Sequence, residues 1–418
     1  MKHLYIHIPF CQRRCSYCDF NTYANMDDRI EAYVDALCTE LVARGQALGP
    51  AASSTFIHSQ VITPPLTRAA LRPTIFLGGG TPTMLSLPQM ERVLAAADTL
   101  VPAAAAEVTT EANPGTVIDE AYLRGLRSLG INRISFGVQS LHDPTLRVLG
   151  RIHTAAEAIA TYHQARRAGF ERVNLDFIFG LPGQTTAQWA WTLDRLAEIE
   201  PEHVSLYSLI VEEGTPLHQQ VTRGSITVPD DDESAAMYEL AMERLAAAGY
   251  TQYEISNWAK HTGAGQPGGN HAWALPTGAC HHNVAYWLNA DYVAAGAGAH
   301  GHIYPQRWHD ILGINDYIRT VRAGQLPTAE TVALAESDLL GETMMMGLRL
   351  NSGVSFAHFA DRCGDDLLAV YGDEIRDLTE LGLIIQDPIG IRLSERGRML
   401  GNEVFARFLR EPADAHAS

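Results

Sequence analysis

Short apolar runs alternate with helix-length amphipathic segments over the first half of the chain, and this alternation is the strongest constraint on the fold. The runs Leu4–Ile8, Thr74–Leu77, Val108–Glu111, Arg133–Phe136, Val173–Phe177 and Val204–Leu209 predict strands, and Asp28–Arg44, Pro88–Leu100, Asp119–Leu129, Thr154–Ala168 and Thr185–Ile199 predict helices. Strands separated by helices pair in parallel. Because a closed barrel needs eight such units, six strands predict an open or partial α/β barrel.

The second half of the chain is predicted to be mostly helical. A helix is expected at Glu233–Ala248, and the pattern becomes helical again from Thr331. Near the end, Leu383–Ile385 and Ile391–Leu393 flank a turn and predict the two-stranded wing of a winged-helix-like domain. We therefore divide the chain into a barrel (1–255), a connecting region (256–325) and a C-terminal domain (326–418).

Two segments and the tail are predicted to be irregular. Gly49–Arg72 is rich in proline, serine and threonine, and Thr262–Gly278 is rich in glycine, proline and alanine, so both are expected to be loops. Residues after Glu411 are expected to be frayed.

Charge and hydropathy narrow the class of protein. The 418 residues include 48 acidic and 31 basic ones, a net charge of −17, which argues against a nucleic-acid partner. No polybasic stretch suits an anionic membrane, no apolar run is long enough to span one, and the start does not resemble a signal peptide. We therefore expect a cytoplasmic protein, in which cysteines serve metals or catalysis rather than disulfides.

Three of the six cysteines lie within eight residues. Cys11, Cys15 and Cys18 form a C-x3-C-x2-C pattern directly after the first predicted strand, at the edge where α/β proteins collect their active sites. Three thiolates can ligate three irons of a cubane cluster and leave the fourth iron open. A zinc site would normally use a second cysteine pair downstream, and a redox pair would need only two cysteines.

Polar residues at the ends of later strands suggest a pocket beside these cysteines. A Gly78-Gly79-Gly80-Thr81-Pro82 turn follows the second strand, where glycines allow a ligand to approach the backbone closely, although the same turn suits an ordinary loop. Glu111, Gln139, Arg151 and Asp176 follow or end later strands. Each alone is typical of a cap, a turn or a structural ion, but together on one rim they favour a pocket.

The segment Tyr5–Phe20 resembles the radical S-adenosylmethionine (SAM) superfamily. The resemblance lies in two runs, Tyr5-Ile-His-Ile-Pro-Phe-Cys11 and Cys15-Ser-Tyr-Cys18-Asp-Phe20. The segment is most similar to the branch that holds oxygen-independent coproporphyrinogen oxidase and the HemW-type haem chaperones. The resemblance implies a partial (β/α)6 barrel carrying a 4Fe-4S cluster on Cys11, Cys15 and Cys18, with SAM on the open iron. It also implies that cofactor contacts come from Tyr5, Tyr17, Gly79, Gly80, Thr81, Glu111, Gln139, Arg151 and Asp176.

Two further features resemble the haem chaperones of this branch rather than the oxidases. The run His282-Asn-Val-Ala-Tyr-Trp287 resembles the haem-chaperone pattern, and Phe20 stands where the oxidases typically carry a further cysteine. The chaperone reading implies haem as cargo, apo-haemoproteins such as respiratory enzymes as recipients, a homodimer and membrane contact only through partners. His282 is the candidate haem ligand, with a simple turn cap as the alternative.

Three hypotheses therefore stand at this point. The first is a haem chaperone that carries a 4Fe-4S cluster and SAM. The second is an oxygen-independent coproporphyrinogen III oxidase, which decarboxylates its substrate to protoporphyrinogen IX, and the third is a zinc-stabilised interaction domain. No catalytic residue is assigned, and whether the protein is an enzyme is left open.

Overall fold

The structure is a computed structural model that describes residues 2–49, 66–116, 119–261 and 273–409. Most of the two predicted loops, residues 50–65 and 262–272, and the predicted frayed tail lie outside the described residues. None of the described helices combines the length and apolar character needed to cross a bilayer.

The described strands and helices are numbered separately, each kind in chain order. The strands are β1 (His3–Ile8), β2 (Phe10–Cys11), β3 (Tyr23–Ala24), β4 (Thr74–Gly79), β5 (Glu107–Ala112), β6 (Arg133–Gln139), β7 (Arg172–Phe179), β8 (His203–Ser208), β9 (Tyr250–Glu254), β10 (Asn257–Lys260), β11 (Val293–Ala295), β12 (His300–Ile303), β13 (Gln306–Asp310), β14 (Thr328–Ala333), β15 (Val354–Ser355), β16 (Ile384–Gln386) and β17 (Gly390–Leu393). The helices are α1 (Ile30–Leu48), α2 (Leu87–Ala97), α3 (Glu120–Ser128), α4 (Asp143–Val148), α5 (Ala155–Arg167), α6 (Thr186–Ile199), α7 (Pro216–Thr222), α8 (Asp231–Ala247), α9 (His281–Trp287), α10 (Ile314–Arg322), α11 (Glu336–Gly347), α12 (Phe356–Cys363), α13 (Leu367–Glu380), α14 (Glu395–Met399) and α15 (Gly401–Ala406).

The six predicted strands form the centre of one sheet, in the order β11-β1-β4-β5-β6-β7-β8-β10-β9. From β1 to β8 every neighbouring pair is parallel, which confirms the predicted partial α/β barrel. Three further strands extend the sheet: β11 pairs in parallel beside β1, and β10 and β9 are antiparallel. The sequence pattern missed β11 because three small apolar residues beside a glycine-rich run give no strand period.

Alternation along β1 shows how the sheet separates its two faces. Leu4, Ile6 and Ile8 are fully buried in the main core, which also contains the inward face of α1. The intervening Tyr5 lines a cavity on the opposite, concave face, which we call the lumen. This period of two places apolar residues under the helices and polar ones in the lumen.

Four of the helices begin at side-chain caps, and α8 begins at Asp231, two residues before the predicted Glu233. Thr154 and Thr185 each form a capping box with the residue three positions later, and the Asp119 and Asp230 carboxylates accept backbone N–H groups of the first turn. These caps fix where each crossover helix begins after its strand.

The C-terminal region differs from the prediction at its start. Thr328–Ala333, which covers the predicted helical start at Thr331, is a strand, and the helix begins at Glu336. Its threonines and valine suit an exposed edge strand, and it pairs with β13. The predicted wing is present as the antiparallel pair β16 and β17, followed by short helices. The pairs β9–β10 and β13–β14 cross the predicted boundaries at 255/256 and 325/326, so the domain division stays a prediction.

A buried ion network ties α1 to the distant β13. The Arg44 guanidinium donates from Nε to Glu40 Oε1 at 2.6 Å and from Nη2 to Asp310 Oδ1 at 2.7 Å. Both carboxylates are fully buried. The other oxygen of Glu40 accepts the backbone N–H of Gly296, just after β11, at 3.0 Å. The network therefore anchors the edge of the sheet next to the cysteine loop.

We expect Arg44→Met to lower the free energy of unfolding by about 3–5 kcal/mol, because it leaves two buried carboxylates without their cation. Arg92→Met is the matched control: Arg92 on α2 pairs with Glu31 and Asp35 at the surface, where such a change costs about 0–1 kcal/mol. Urea unfolding of both variants measures the difference. Equal losses would show that the buried network contributes no more than a surface pair.

Candidate cluster and cofactor site

The three predicted cluster cysteines lie on one loop at the carboxyl end of β1. Cys11 ends β2, which pairs in parallel with β3 and so closes the loop. Ser16, in the middle of the loop, donates its backbone N–H to Leu149 and accepts that of Leu217, at 3.0 and 2.9 Å. Cys11 is buried, whereas Cys15 and Cys18 are half-buried. The loop is therefore anchored at several points, with its thiols at the rim of the lumen.

Each of the three thiols has its own polar neighbour. Thr81 Oγ1 lies 3.6 Å from Cys11 Sγ, Arg151 Nη1 lies 3.4 Å from Cys15 Sγ, and Thr22 Oγ1 lies 3.7 Å from Cys18 Sγ. Donors at these positions stabilise thiolates and orient them. Burial raises the pKa of Cys11 to about 11, so this thiol needs a bound cation to ionise at neutral pH.

The donor set fits a cluster better than a single metal ion. Among the described residues, no three His, Cys, Asp or Glu side chains come close enough together to hold one ion. A tetrahedral zinc site requires such convergence. In a cubane cluster each thiolate binds a different iron, so thiols spaced along a loop are suitable.

The glycine turn after β4 is shaped by its neighbours. Gly79 has φ +110°, and a Cβ there would lie 2.5 Å from the His7 ring. At Gly80 a Cβ would lie 2.6 Å from the Phe10 carbonyl oxygen. Only glycine fits both positions, so the turn passes close under the cysteine loop. The Gly79 N–H donates to Glu111 Oε2 at 3.1 Å, which links this turn to the next strand.

Arg151 joins the loops that follow three different strands. Its guanidinium contacts Cys15 Sγ and donates to Asn113 Oδ1 and to the Gly137 carbonyl. Asn113 in turn donates to Thr81 Oγ1 at 2.7 Å. Asn113 was not among the predicted contacts, although it lies two residues after Glu111 in the Glu-Ala-Asn-Pro-Gly run. These contacts bring the predicted Thr81 and Arg151 to one rim with the cysteines.

Gln139 adopts a conformation that is rare for a residue with a side chain. It ends β6 at a register shift against β7, with φ +66°. Strained backbone of this kind is typical of binding sites, where the surroundings hold it in place. A Cβ on Gly137 would lie 2.9 Å from Gln139 Nε2, so this side chain lies over the end of β6 beside Arg151.

Two carboxylates face the lumen below the rim. Asp176 was expected at a strand end, but β7 continues to Phe179, so Asp176 lies within the strand. It accepts hydrogen bonds from Ser135 Oγ at 2.8 Å and Asn174 Nδ2 at 2.7 Å. Burial and the nearby Asp176 raise the pKa of Glu111 to about 8. The pair is therefore suited to a cationic ligand, which would favour the ionised form.

The two predicted tyrosines lie at different depths. Tyr5 is inside the lumen, where its hydroxyl shares a hydrogen bond with His7 Nδ1 at 2.9 Å. Tyr17 is at the rim, packed on the apolar cluster of Leu149, Ile178 and Leu181. His7, which was not among the predicted contacts, also shares a hydrogen bond through Nε2 with the Asn21 carbonyl oxygen and so links β1 to the cysteine loop.

His282 is far from this rim. Its Nδ1 shares a hydrogen bond with Thr74 Oγ1 at 2.6 Å and its Nε2 one with Tyr286 Oη at 3.0 Å. Thr74 begins β4, so His282 lies at the opposite, amino-terminal end of the sheet. Its ring also stacks on Phe76, with centroids 5.0 Å apart. Both ring nitrogens are therefore engaged, and α9 closes the lower end of the lumen.

We expect Glu111→Gln to flatten the pH dependence of stability of the cofactor-free protein. Between about pH 4.5 and 8 the folded chain holds a proton on Glu111 that the unfolded chain lacks. The free energy of unfolding should therefore fall as the pH rises, by at most about 1.4 kcal/mol per unit. Urea unfolding at pH 6 and pH 8 measures this slope, with exposed Glu91→Gln as the control. Parallel slopes for wild type and Glu111→Gln would contradict the assignment.

Comparisons with known proteins agree with this geometry. Residues 66–196 match the model of the radical SAM superfamily, and residues 334–400 match that of the HemN C-terminal domain. The solved structure of coproporphyrinogen III oxidase (HemN) from Escherichia coli superposes with a TM-score of 0.76, covering 97% of this chain and 89% of that one. At 22% identity this likeness shows the fold.

Curated relatives match along nearly their whole length. Heme chaperone HemW of Bacillus subtilis is 35% identical over 98% of this chain and 100% of that protein. HemW of Lactococcus lactis is 34% identical over 97% and 96%. Radical S-adenosyl methionine domain-containing protein 1, mitochondrial, of Danio rerio is 32% identical over 98% and 87%. With the radical SAM fold and the cysteine loop in place, this similarity shows that the chain belongs to the HemW family within the radical SAM superfamily.

Proposed function

We propose that this protein is a haem chaperone, which binds haem and delivers it to apo-haemoproteins such as respiratory enzymes. The observation that carries the proposal is the 34–35% identity to proteins named Heme chaperone HemW over at least 97% of the chain. Similarity of this extent covers the barrel, α9 and the C-terminal region together.

We infer that Cys11, Cys15 and Cys18 hold a 4Fe-4S cluster and that SAM binds beside it. The three thiols with separate donors, on an anchored loop, support the cluster. When bound, the cluster and SAM supply one-electron chemistry. In the chain itself, Thr81 and Arg151 orient two of the thiolates.

The remaining cofactor contacts follow from the charges at the rim and in the lumen. Arg151 offers a cation to the carboxylate of SAM, and Glu111 and Asp176 offer negative charge to its sulfonium and acceptors to its ribose hydroxyls. The close turn at Gly79 and Gly80 leaves backbone groups accessible to the methionine amino group. The list of proposed contacts is completed by Tyr5, Tyr17, Thr81 and Gln139.

The lumen is poorly suited to the oxidase alternative. Its cavity of about 130 Å³ is smaller than the about 300–1,000 Å³ of ordinary small-molecule pockets. Tyr5, Phe76, His282 and Tyr286 fill its lower part. Phe20 stands in the place of the additional oxidase cysteine and is 64% exposed beside the cluster loop. Both features favour haem transfer over porphyrinogen decarboxylation.

The proposal extends to partners and location. A cytoplasmic protein with a net charge of −17 is expected to meet respiratory enzymes at the membrane through those partners rather than through lipid. A homodimer is a further expectation of the family resemblance, and no nucleic acid partner is expected.

A haem titration of anaerobically reconstituted protein tests the function. We expect saturable, stoichiometric binding in difference absorption spectra, in which the absorbance of the cluster cancels, and transfer of the haem to a haem-depleted respiratory oxidase. The same preparation, given reductant, SAM and coproporphyrinogen III, should form no protoporphyrinogen. Haem binding no stronger than a non-specific background, or porphyrinogen turnover, would overturn the proposal.

Cluster ligation has its own test. Replacement of Cys11, Cys15 or Cys18 by Ala should abolish the visible absorbance and the labile sulfide of reconstituted protein, because each thiolate holds one iron. Cys38→Ala and Cys363→Ala serve as controls, since both residues are away from the loop and should leave the iron content unchanged. An intact cluster in any one of the three variants would remove that cysteine from the ligand set.

A further inference from the structure

We propose that haem binds in a cavity between β12 and α11, with the His300 imidazole as a ligand of the iron. We call this space the junction cavity, and its walls include Tyr286, Tyr292, His300, His302, Arg307 and Met346. The inference rests on the proposed haem-carrying function and assigns a site to it.

The junction cavity is larger than the cavity of the lumen. Its volume is about 260 Å³, twice that of the lumen. Because this is close to the lower end of small-molecule pockets, a flat macrocycle would enter by one edge and keep its opposite edge at the opening. Tyr286 lines both cavities, so a ligand here would be separated from the lumen by one aromatic ring.

The ligand chemistry of the walls selects haem over a free metal ion. A free ion needs three or four converging protein ligands, and no such group exists among the described residues. Haem brings four nitrogens of its own and needs only one or two axial ligands, for which imidazole and thioether are typical. The junction cavity offers both kinds, from His300 and His302 on β12 and from Met345 and Met346 on α11.

His300 is available to bind iron in a way that His282 is not. Neither ring nitrogen of His300 makes a hydrogen bond within the described part of the chain, and the residue is exposed at the cavity. Partial burial and the neighbouring His309 lower its pKa, so the imidazole is neutral at pH 7 and a nitrogen lone pair is free. His282, by contrast, would have to release Thr74 or Tyr286.

His302 lies on the same side of β12, because side chains two residues apart share one face of a strand. It is buried, and its Nε2 lies 3.4 Å from Arg362 Nη2. Arg362 also pairs with Asp291 Oδ1 at 3.2 Å. His302 is therefore held in place by a neighbour that is itself anchored, and it forms the wall against which the inserted edge would pack.

The remaining walls suit a flat, apolar dianion. Tyr286 and Tyr292 meet edge to face, with ring centroids 4.7 Å apart, and offer aromatic surface to the macrocycle. Arg307, which pairs with Glu342 at 2.8 Å, provides a cation at the cavity for a propionate. Glu342 also lines the cavity and is only 17% exposed, so a propionate would share the Arg307 guanidinium with that carboxylate.

The test is a haemin titration of the full-length, cluster-reconstituted protein, followed by difference spectra. We expect His300→Gly to weaken binding at least about tenfold and to change the Soret band, and added imidazole to restore that band. Arg307→Gln should weaken binding without changing the ligand spectrum. His163→Ala, an exposed histidine on α5, is the matched control and should bind like wild type.

The outcomes separate the site from the function. If wild-type protein fails to bind haemin, the proposed function fails and the site with it. If wild type binds and His300→Gly binds equally well with an unchanged spectrum, the junction-cavity proposal alone is overturned. Loss of binding in His282→Ala together with retention in His300→Gly would also overturn it. Retained cluster absorbance shows that each variant is folded, because neither histidine contacts the cysteine loop.

Discussion

Parallel pairing from β1 to β8 is the constraint on which the rest of this structure depends. Parallel strands end at the same edge of a sheet, so residues distant in sequence meet there without any direct attraction between them. Arg151 can reach the Cys15 thiol and Asn113 only because the loops after three separate strands converge. The cysteine loop by itself would have neither these donors nor the glycine turn beneath it.

The lumen below that edge keeps polar groups away from water and so alters their chemistry. The carboxyl group of Glu111 is protonated at neutral pH because burial and Asp176 both oppose its charge. A cationic ligand would reverse that balance, so ligand binding and proton release are coupled at this site. The same burial raises the pKa of the Cys11 thiol, which makes its ionisation depend on a bound metal.

Helix α9 closes the lower end of the lumen and also contacts the C-terminal region. His282 and Tyr286 bond each other under the sheet, and the neighbouring Trp287 ring receives the Arg349 guanidinium at 4.5 Å. One short motif thus connects the barrel to the C-terminal region. Because Tyr286 also borders the junction cavity, a ligand bound there would contact the element that seals the lumen. Tyr286 is thus common to the walls of the lumen and of the junction cavity.

The sequence by itself determined the order of the six central strands and the five predicted helices between them, the helix starts at Asp119 and Thr154, and the loop with Cys11, because each depends on near neighbours in the chain. Only the tertiary structure decided that both ring nitrogens of His282 are engaged, since Thr74 is 208 residues away in the chain. It also decided that Asp176 faces inward, and that polar groups on β12 and α11 share a cavity. The spacing of apolar residues along the chain predicts which side chains are buried, but it does not predict which distant partner a buried polar group will contact.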